Sequence, residues 1–120
     1  MHTIIPGMVS SGGRLTHAYG VMGGQYQPFG HAHVLTNHFD FGLDPQAAID
    51  APRVMADASA AVDVEQGINA SEREKLEGMG HKLIDTPDPI GGAQMIQIDW
   101  DQGSLVAGSD PRKDGHAAGY

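Results

Sequence analysis

The feature that most constrains the fold is a glycine pair between an apolar segment and a helix-like segment, in the stretch Val21-Met22-Gly23-Gly24-Gln25-Tyr26-Gln27-Pro28. Paired glycines let the backbone turn sharply there, because no Cβ atom blocks positive φ angles or the close approach of another molecule. Backbone N–H groups at the start of a helix also lack intrahelical partners and bind anions readily. The pair therefore predicts either an oxyanion-binding or carboxylate-binding turn or ordinary turn chemistry.

Glycine and proline residues divide the rest of the chain into short elements. Alternating apolar residues predict one hairpin over 3–10 and 15–22 and a second over 93–100 and 104–108. A helix is predicted over 28–41 and ends at Gly42, and Asp44 caps a shorter helix that ends before Pro52. The remaining elements are short strands at 54–56, 62–65 and 82–84, and a helix opened by the capping box at 71–74 that carries Leu76 and Met79 inward.

This order of elements predicts an α+β fold in which helices cover one face of an antiparallel sheet. We expect one domain over residues 1–120, because no linker, repeat or low-complexity tract interrupts the chain. The core must rely on aliphatic residues, since aromatic residues make up only 6% of the chain.

Composition excludes several classes of partner and cofactor. The net charge of −8 argues against nucleic acid, and the absence of cysteine removes disulfides and thiolate sites. No apolar run approaches the roughly twenty residues that span a bilayer, and we expect no signal peptide before His2. We expect no nucleic acid, membrane or cofactor to be bound, and the compartment is left open.

Several polar residues have two interpretations each. Seven histidines invite a metal site. On the predicted helix, however, His31 and His33 point far apart, and neither His31 nor His38 has a carboxylate at i+4 spacing, which favours ordinary capping, core or surface roles. Arg112 in Asp110-Pro111-Arg112 either clamps a substrate carboxylate or forms a structural ion pair. Arg53 either binds substrate or holds the end of a helix.

Five further motifs accompany the glycine turn in a fixed order: His2-Thr3-Ile4-Ile5-Pro6-Gly7, Asp40-Phe41-Gly42-Leu43-Asp44-Pro45-Gln46-Ala47-Ala48, Ala51-Pro52-Arg53, Gly108-Ser109-Asp110-Pro111-Arg112 and Gly119-Tyr120. Together they resemble the C-terminal part of the small subunit of γ-glutamyltransferases, also called γ-glutamyltranspeptidases. The resemblance covers essentially the whole sequence, and the combination is far more specific than any single motif.

The resemblance implies part of the αββα sandwich of N-terminal-nucleophile hydrolases. In that family a precursor cleaves itself, and a freed N-terminal threonine attacks a γ-glutamyl amide such as glutathione and passes the acyl group to water or an amino acid. Gly23 and Gly24 match the oxyanion-hole glycines. Met1 falls after the nucleophile, and the motif does not assign that role to Thr3. We therefore expect an inactive chain whose partner is the upstream part of the same precursor, meaning the large subunit and the nucleophile-bearing segment. The missing half of the sandwich also leaves an apolar sheet face uncovered.

Two departures from the family pattern leave the acyl group open. His2 and Thr3 stand where many members have a carboxylate-binding Ser-Ser pair, and Gly20-Val21-Met22-Gly23-Gly24 replaces the familiar Gly-Ser-Pro-Gly-Gly. His2, Thr3 and Gln25 are the substrate-binding candidates, although Gln25 and Gln27 fit simple turn hydrogen bonding equally well. The alternatives are a related acylase with another acyl group, and a non-catalytic remnant that forms a homo-oligomer.

Overall fold

The computed structural model of the protein describes residues 3–56, 59 and 61–120. Its elements fall into two compact units. The first comprises the chain up to Ala51 and from Gly91 onwards, and the second is Pro52–Ile90. No helix in the described part of the chain is both long enough and apolar enough to cross a lipid bilayer.

A four-stranded antiparallel sheet forms the centre of the first unit. In spatial order its strands are β1 (Pro6–Ser11), β2 (Arg14–Met22), β6 (Gly92–Asp99) and β7 (Ser104–Ser109). Both predicted hairpins are confirmed. Gly12 and Gly13 in the first turn and Gly103 in the second have positive φ angles, which a side chain would disfavour.

The helical segment after the glycine pair is continuous. A 3₁₀ turn at Gly24–Tyr26 leads into α1 (Gln27–Leu35), which ends in a π-helical turn at Thr36–Asp40. This confirms the predicted helix and its end at Gly42, where φ is 70°. The π-helical turn had no signal in the sequence.

The second helix, α2 (Pro45–Asp50), begins as predicted. The Asp44 side chain accepts a hydrogen bond from the Ala47 backbone N–H at 2.9 Å, and proline occupies the first helical position.

Both helices pack on the same face of the sheet. Tyr19, Met95 and Gly108 lie in register across β2, β6 and β7. The Tyr19 ring centroid is 5.1 Å from that of His31 in α1, and a Cβ atom at Gly108 would lie 2.9 Å from Ile49 in α2. The apolar side chains buried in this unit are Val21, Tyr26, Val34, Ala48, Ile49, Ala93 and Met95.

The opposite face of the sheet is apolar and largely exposed, as predicted, and the C-terminal residues 117–120 lie next to its Ile96 and Leu105. Met8 is 73% exposed and Leu105 67% exposed, and Met22 and Ile96 are also exposed. Strand register places these side chains together, because Met8 pairs with Ala18, and Ala18 pairs with Ile96. We call this surface, defined by Met8, Met22, Ile96 and Leu105, the open face. Contiguous exposed apolar surface of this kind marks an interaction site.

The second unit contains a three-stranded sheet and one helix. Its strands are β3 (Val54–Ala56), β4 (Ala61–Val64) and β5 (Lys82–Asp85), with α3 (Ala70–Gly78) between β4 and β5. β4 and β5 run parallel, so the prediction of antiparallel pairing is wrong for this pair. The helix between them supplies the crossover that parallel strands require.

Two details of α3 also differ from the prediction. The capping residue is Asn69, whose side chain accepts from the Glu72 backbone N–H at 2.9 Å, and not Ser71. Met79 is 74% exposed instead of buried, because the helix ends before this residue and the chain turns at Gly80.

Arg53 and Glu65 form a buried polar cluster in the second unit. The Glu65 carboxylate accepts from the backbone N–H groups of Arg53 at 2.9 Å and Ile90 at 2.8 Å. The Arg53 guanidinium donates to the Ile90 carbonyl oxygen at 2.8 Å. These bonds hold the two ends of the unit together. They show that Arg53 fixes a loop, and its substrate-binding and helix-end interpretations stay predictions.

Candidate active site

The Gly23–Gly24 turn follows β2 directly, after Met22 pairs with Gly92. Gly23 has φ 132° and ψ 28°, and Gly24 has φ 58°. Residues with a Cβ atom rarely adopt such angles. The sequence therefore needs glycine at both positions to pass from the strand into the helix within two residues.

The Gly23 carbonyl oxygen is hydrogen-bonded within the turn, whereas the N–H groups of Gly23 and Gly24 are not. The Gly23 carbonyl oxygen accepts from the Tyr26 backbone N–H at 3.0 Å. Outside the helical and strand ladders, the N–H groups of Gly23 and Gly24 donate to no residue that the structure describes. Gly23 precedes the helical segment and Gly24 is its first residue, and N–H groups at these positions have no intrahelical acceptor. Two neighbouring donors are thus available to an external oxygen atom, which suits an oxyanion.

The buried ring of Tyr26 fixes the position of the turn. A Cβ atom at Gly91 would collide with its Cδ1 atom, one at Gly30 would lie 2.7 Å from its Cε1 atom, and one at Gly23 would lie 3.3 Å from its Cβ atom. The three glycines therefore surround the ring at close range. Gly91 also has a positive φ of 63°. Glycine is therefore required there both by the space that Tyr26 occupies and by the backbone conformation.

A cavity of about 270 Å³ opens beside the turn: Met22 and Gln27 line it, whereas Gly23 and Gly24 are not among its described lining residues. Its polar lining residues are Thr3, Gln27, Gln94 and Lys113. The rest of its lining is Ile4, Ile5, Pro6, Gly20, Val21, Met22 and Gly92. A mostly apolar pocket with a few polar groups is typical of a small-molecule site.

Gln27 connects the turn to the N-terminal segment. Its buried amide Nε2 donates to the Gly24 carbonyl oxygen at 3.1 Å and to the Thr3 carbonyl oxygen at 3.4 Å. The side chain therefore joins the glycine turn to Thr3, which lines the cavity. This corresponds to the turn-bonding interpretation of Gln27.

The predicted substrate-binding residues fall in different places. Thr3 lines the cavity, whereas Gln25 is exposed and is absent from the cavity lining. His2 lies outside the described residues. The substrate roles of Thr3, His2 and Gln25, and the oxyanion role of Gly23 and Gly24, stay predictions. Sequence reasoning missed Lys113, because no local pattern indicates that it reaches the start of β6.

Asp110 and Arg112 form the structural ion pair that one interpretation favoured. The Arg112 guanidinium lies 3.3 Å from the Asp110 carboxylate. It also donates to the carbonyl oxygens of Ile49, Asp50 and Ala51 at the end of α2. The motif thus joins the end of β7 to the end of α2.

The histidines of the first unit form ring contacts and hydrogen bonds. The Nε2 atoms of His17 and His38 are 2.9 Å apart, and His38 Nδ1 donates to the Leu43 carbonyl oxygen at 2.7 Å. Burial lowers the pKa of His17, and the charge of His38 lowers it further. Burial also lowers the pKa of His31, and a hydrogen bond to the Ile5 backbone partly opposes this shift. Within the described residues, no three His, Asp or Glu side chains converge as metal ligands.

Comparison with known proteins places this geometry in a family. The gamma-glutamyltranspeptidase family model matches residues 1–120. The glutathione hydrolase-like YwrD proenzyme of Bacillus subtilis is 35% identical over 126 residues, which covers 98% of this chain and 24% of that protein. The chain spans less than a quarter of the length of this and other curated relatives that it matches, among them Glutathione hydrolase 2 of Arabidopsis thaliana, of which it covers 23%.

Solved structures agree with the sequence relatives. Cephalosporin acylase from Bacillus halodurans is 40% identical with a TM-score of 0.93, and the match covers 99% of this chain and 23% of that one. γ-Glutamyltranspeptidase from Pseudomonas nitroreducens is 25% identical with a TM-score of 0.84, and the match covers 100% of this chain and 62% of that one. The α+β architecture is therefore that of N-terminal-nucleophile hydrolases, and the chain belongs to the γ-glutamyltranspeptidase family.

Proposed function

We propose that the chain is the oxyanion-binding part of an N-terminal-nucleophile amidohydrolase or acyltransferase. The observation that carries the proposal is the pair of available N–H groups at Gly23 and Gly24 beside a cavity of about 270 Å³. We assign the nucleophilic threonine to a segment outside these 120 residues, because the family motif gives that role to no residue within them. We expect that segment to come from the same precursor, and this expectation is supported by the relatives, whose names describe proenzymes.

The proposed reaction is acyl transfer. The threonine hydroxyl attacks the carbonyl carbon of a substrate amide, and its proton moves to the threonine α-amine. The carbonyl oxygen becomes an oxyanion that accepts hydrogen bonds from the Gly23 and Gly24 N–H groups. The C–N bond then breaks, the proton passes to the leaving amine, and an acyl ester remains. Water or an amino acid takes the acyl group from this ester in a second attack.

The proposed substrate is a small γ-glutamyl amide such as glutathione. The name of the YwrD relative supports this choice, while the name of the cephalosporin acylase supports another acyl group. In either case the oxyanion donors act on the same carbonyl oxygen, because they contact the reacting amide and not the rest of the acyl chain.

Reconstitution tests the proposal. The chain alone is expected to leave a γ-glutamyl anilide intact, and turnover is expected after a polypeptide that begins at the nucleophilic threonine is added. Release of the aniline dye is followed by absorbance. Turnover by the chain alone would refute the assignment of the nucleophile to another segment.

A matched pair of glycine variants tests the oxyanion role. Gly24 and Gly12 share a φ of +58°, and a Cβ atom at either would meet nothing within 4 Å. Gly24→Ala and Gly12→Ala therefore place a side chain at the same positive φ angle and in open space. Both variants keep the backbone N–H, but only Gly24→Ala places a methyl group beside the proposed oxyanion site, so we expect kcat in the reconstituted enzyme to fall in Gly24→Ala and not in Gly12→Ala. Equal kcat values for the two variants would refute the role.

A second candidate function is non-catalytic self-association, and the open face favours it. Four exposed apolar side chains on one sheet face are suited to cover the same surface of a second copy. Native mass spectrometry of the protein from its source distinguishes the two functions. A heteromer containing a polypeptide with an N-terminal threonine supports the enzyme, whereas a homo-oligomer supports self-association.

A further inference from the structure

Lys113 is held next to the candidate site by a fixed turn. It ends the 3₁₀ turn Pro111–Lys113, which the Asp110 side chain caps by accepting from the Arg112 backbone N–H at 3.0 Å. The other Asp110 carboxylate oxygen accepts from the Ala93 backbone N–H at 2.7 Å, and the Asp110 N–H donates to the Ala93 carbonyl oxygen at 3.1 Å. The backbone of this turn is therefore joined to the start of β6.

The aliphatic part of the Lys113 side chain passes over Gly92, the first residue of β6. A Cβ atom at Gly92 would collide with Lys113 Cγ and would lie 3.2 Å from its Cε atom. It would also lie 3.3 Å from Cγ of Met22. Glycine at this position leaves the space through which the lysine reaches the cavity.

The ammonium group brings a positive charge to an otherwise uncharged cavity. Among the described lining residues, Lys113 is the only charged one. No carboxylate of the described chain pairs with it. This is notable in a chain with 15 acidic residues and a net charge of −8, where a surface lysine has many possible partners. A positive charge without a counter-charge beside apolar walls favours an anionic ligand.

We propose that Lys113 is a specificity-determining residue that binds a carboxylate on the acyl group of the substrate. This inference rests on the proposed function, because the Gly23–Gly24 turn defines which end of the cavity holds the reacting amide. The acyl group is then a short aliphatic chain: its amide end lies at the glycine turn, its methylene groups contact Ile4, Ile5 and Met22, and its carboxylate end lies at Lys113.

Direct binding tests the inference without turnover. Glutarate and its neutral analogue glutaramide are titrated against the protein by isothermal calorimetry. Lys113→Met keeps the aliphatic stem over Gly92 and removes the charge, and it is expected to weaken glutarate binding by about tenfold or more. Binding of glutaramide is expected to stay unchanged. Lys113→Arg is expected to retain glutarate binding, and Lys82→Met, on the exposed strand β5, controls for net charge.

Two outcomes would overturn the inference: no glutarate binding by the unaltered protein, or equal glutarate affinity in Lys113→Met and Lys82→Met. In the reconstituted enzyme, the ratio of kcat/KM for glutaryl anilide to that for the uncharged pentanoyl anilide should fall in Lys113→Met. The experiments distinguish failure of the Lys113 proposal from failure of the oxyanion proposal. Loss of glutarate binding in Lys113→Met with equal turnover of Gly24→Ala and Gly12→Ala would keep the carboxylate site and reject the oxyanion role.

Discussion

Asp110 is a buried carboxylate whose removal we expect to destabilise the first unit strongly. One of its oxygen atoms accepts from the Ala93 N–H at 2.7 Å. The other accepts from the Arg112 backbone N–H at 3.0 Å and from the Arg112 guanidinium at 3.3 Å. The carboxylate has no exposed surface, and only 13% of the Arg112 side chain is exposed. Asp110→Ala therefore leaves a buried donor and a mostly buried cation without this acceptor.

The expected loss of stability in Asp110→Ala depends on the hydrogen bonds that Arg112 keeps. Removal of one partner of a buried ion pair typically costs about 3–5 kcal/mol. The guanidinium of Arg112 keeps three carbonyl acceptors, on Ile49, Asp50 and Ala51. This places Asp110→Ala at the lower end, a loss of about 3 kcal/mol in the free energy of unfolding.

Urea unfolding followed by Trp100 fluorescence measures the loss, because the single tryptophan lies in the first unit. Asp40→Ala is the matched control, since Asp40 is exposed and its removal should change stability by no more than about 0.5 kcal/mol. In a double-mutant cycle with Arg112→Met, the coupling energy should reach about 1 kcal/mol or more. A loss below about 1 kcal/mol for Asp110→Ala, or additive effects in the cycle, would refute this reasoning.

Two further predictions concern packing and pH. Gly30→Ala should lower the free energy of unfolding by about 1–3 kcal/mol. The new Cβ atom would lie 2.5 Å from Val21 Cγ1 and 2.7 Å from Tyr26 Cε1. An unchanged urea midpoint would contradict the close packing of α1 on β2. Burial lowers the pKa of His17 from 6.5, and the charge of His38 lowers it further. Between pH 6.5 and the pKa of His17 in the folded protein, the unfolded chain therefore binds a proton that the folded chain does not. Stability should therefore fall as the pH is lowered below 6.5, more in the unaltered protein than in His17→Gln, and parallel pH profiles would contradict this.

Local signals in the sequence were sufficient for most elements of the first unit. Asp44 followed by Pro45 predicted the start of α2, and Gly42 predicted the preceding helix end. The glycines at 12, 13 and 103 predicted both hairpin turns, since each occupies a positive φ angle. These features depend on a few neighbouring residues, so a single sequence expresses them fully.

The features that sequence reasoning missed depend on residues far apart in the chain. Lys113 lies over Gly92, and the guanidinium of Arg53 reaches the carbonyl of Ile90. The parallel pairing of β4 with β5 likewise follows from α3 as a crossover and not from the strand sequences. In α3 the error was local: Asn69 and Ser71 are both good capping residues, and the hydrogen bond from Glu72 identifies Asn69.

The cavity and the open face are parts of one surface, which links assembly to ligand binding. Gly20 and Gln94 line the cavity and pair with each other across β2 and β6, and Met22 lines the cavity and belongs to the open face. A polypeptide that covers the open face therefore also excludes water from the cavity. Lower local polarity strengthens the attraction between a carboxylate and the Lys113 ammonium, so glutarate should bind more tightly once the nucleophile-bearing polypeptide is added.

Leu105→Glu tests this link, because residue 105 lies on the open face but outside the lining of the cavity. The charge opposes coverage of the face, so the variant should bind glutarate like the unaltered chain when each is alone and should gain no affinity when the second polypeptide is added. Calorimetric titrations with and without that polypeptide measure both quantities. An equal gain in glutarate affinity in the two proteins would contradict this link between assembly and ligand binding, because the ligand site would then be complete without coverage of the open face.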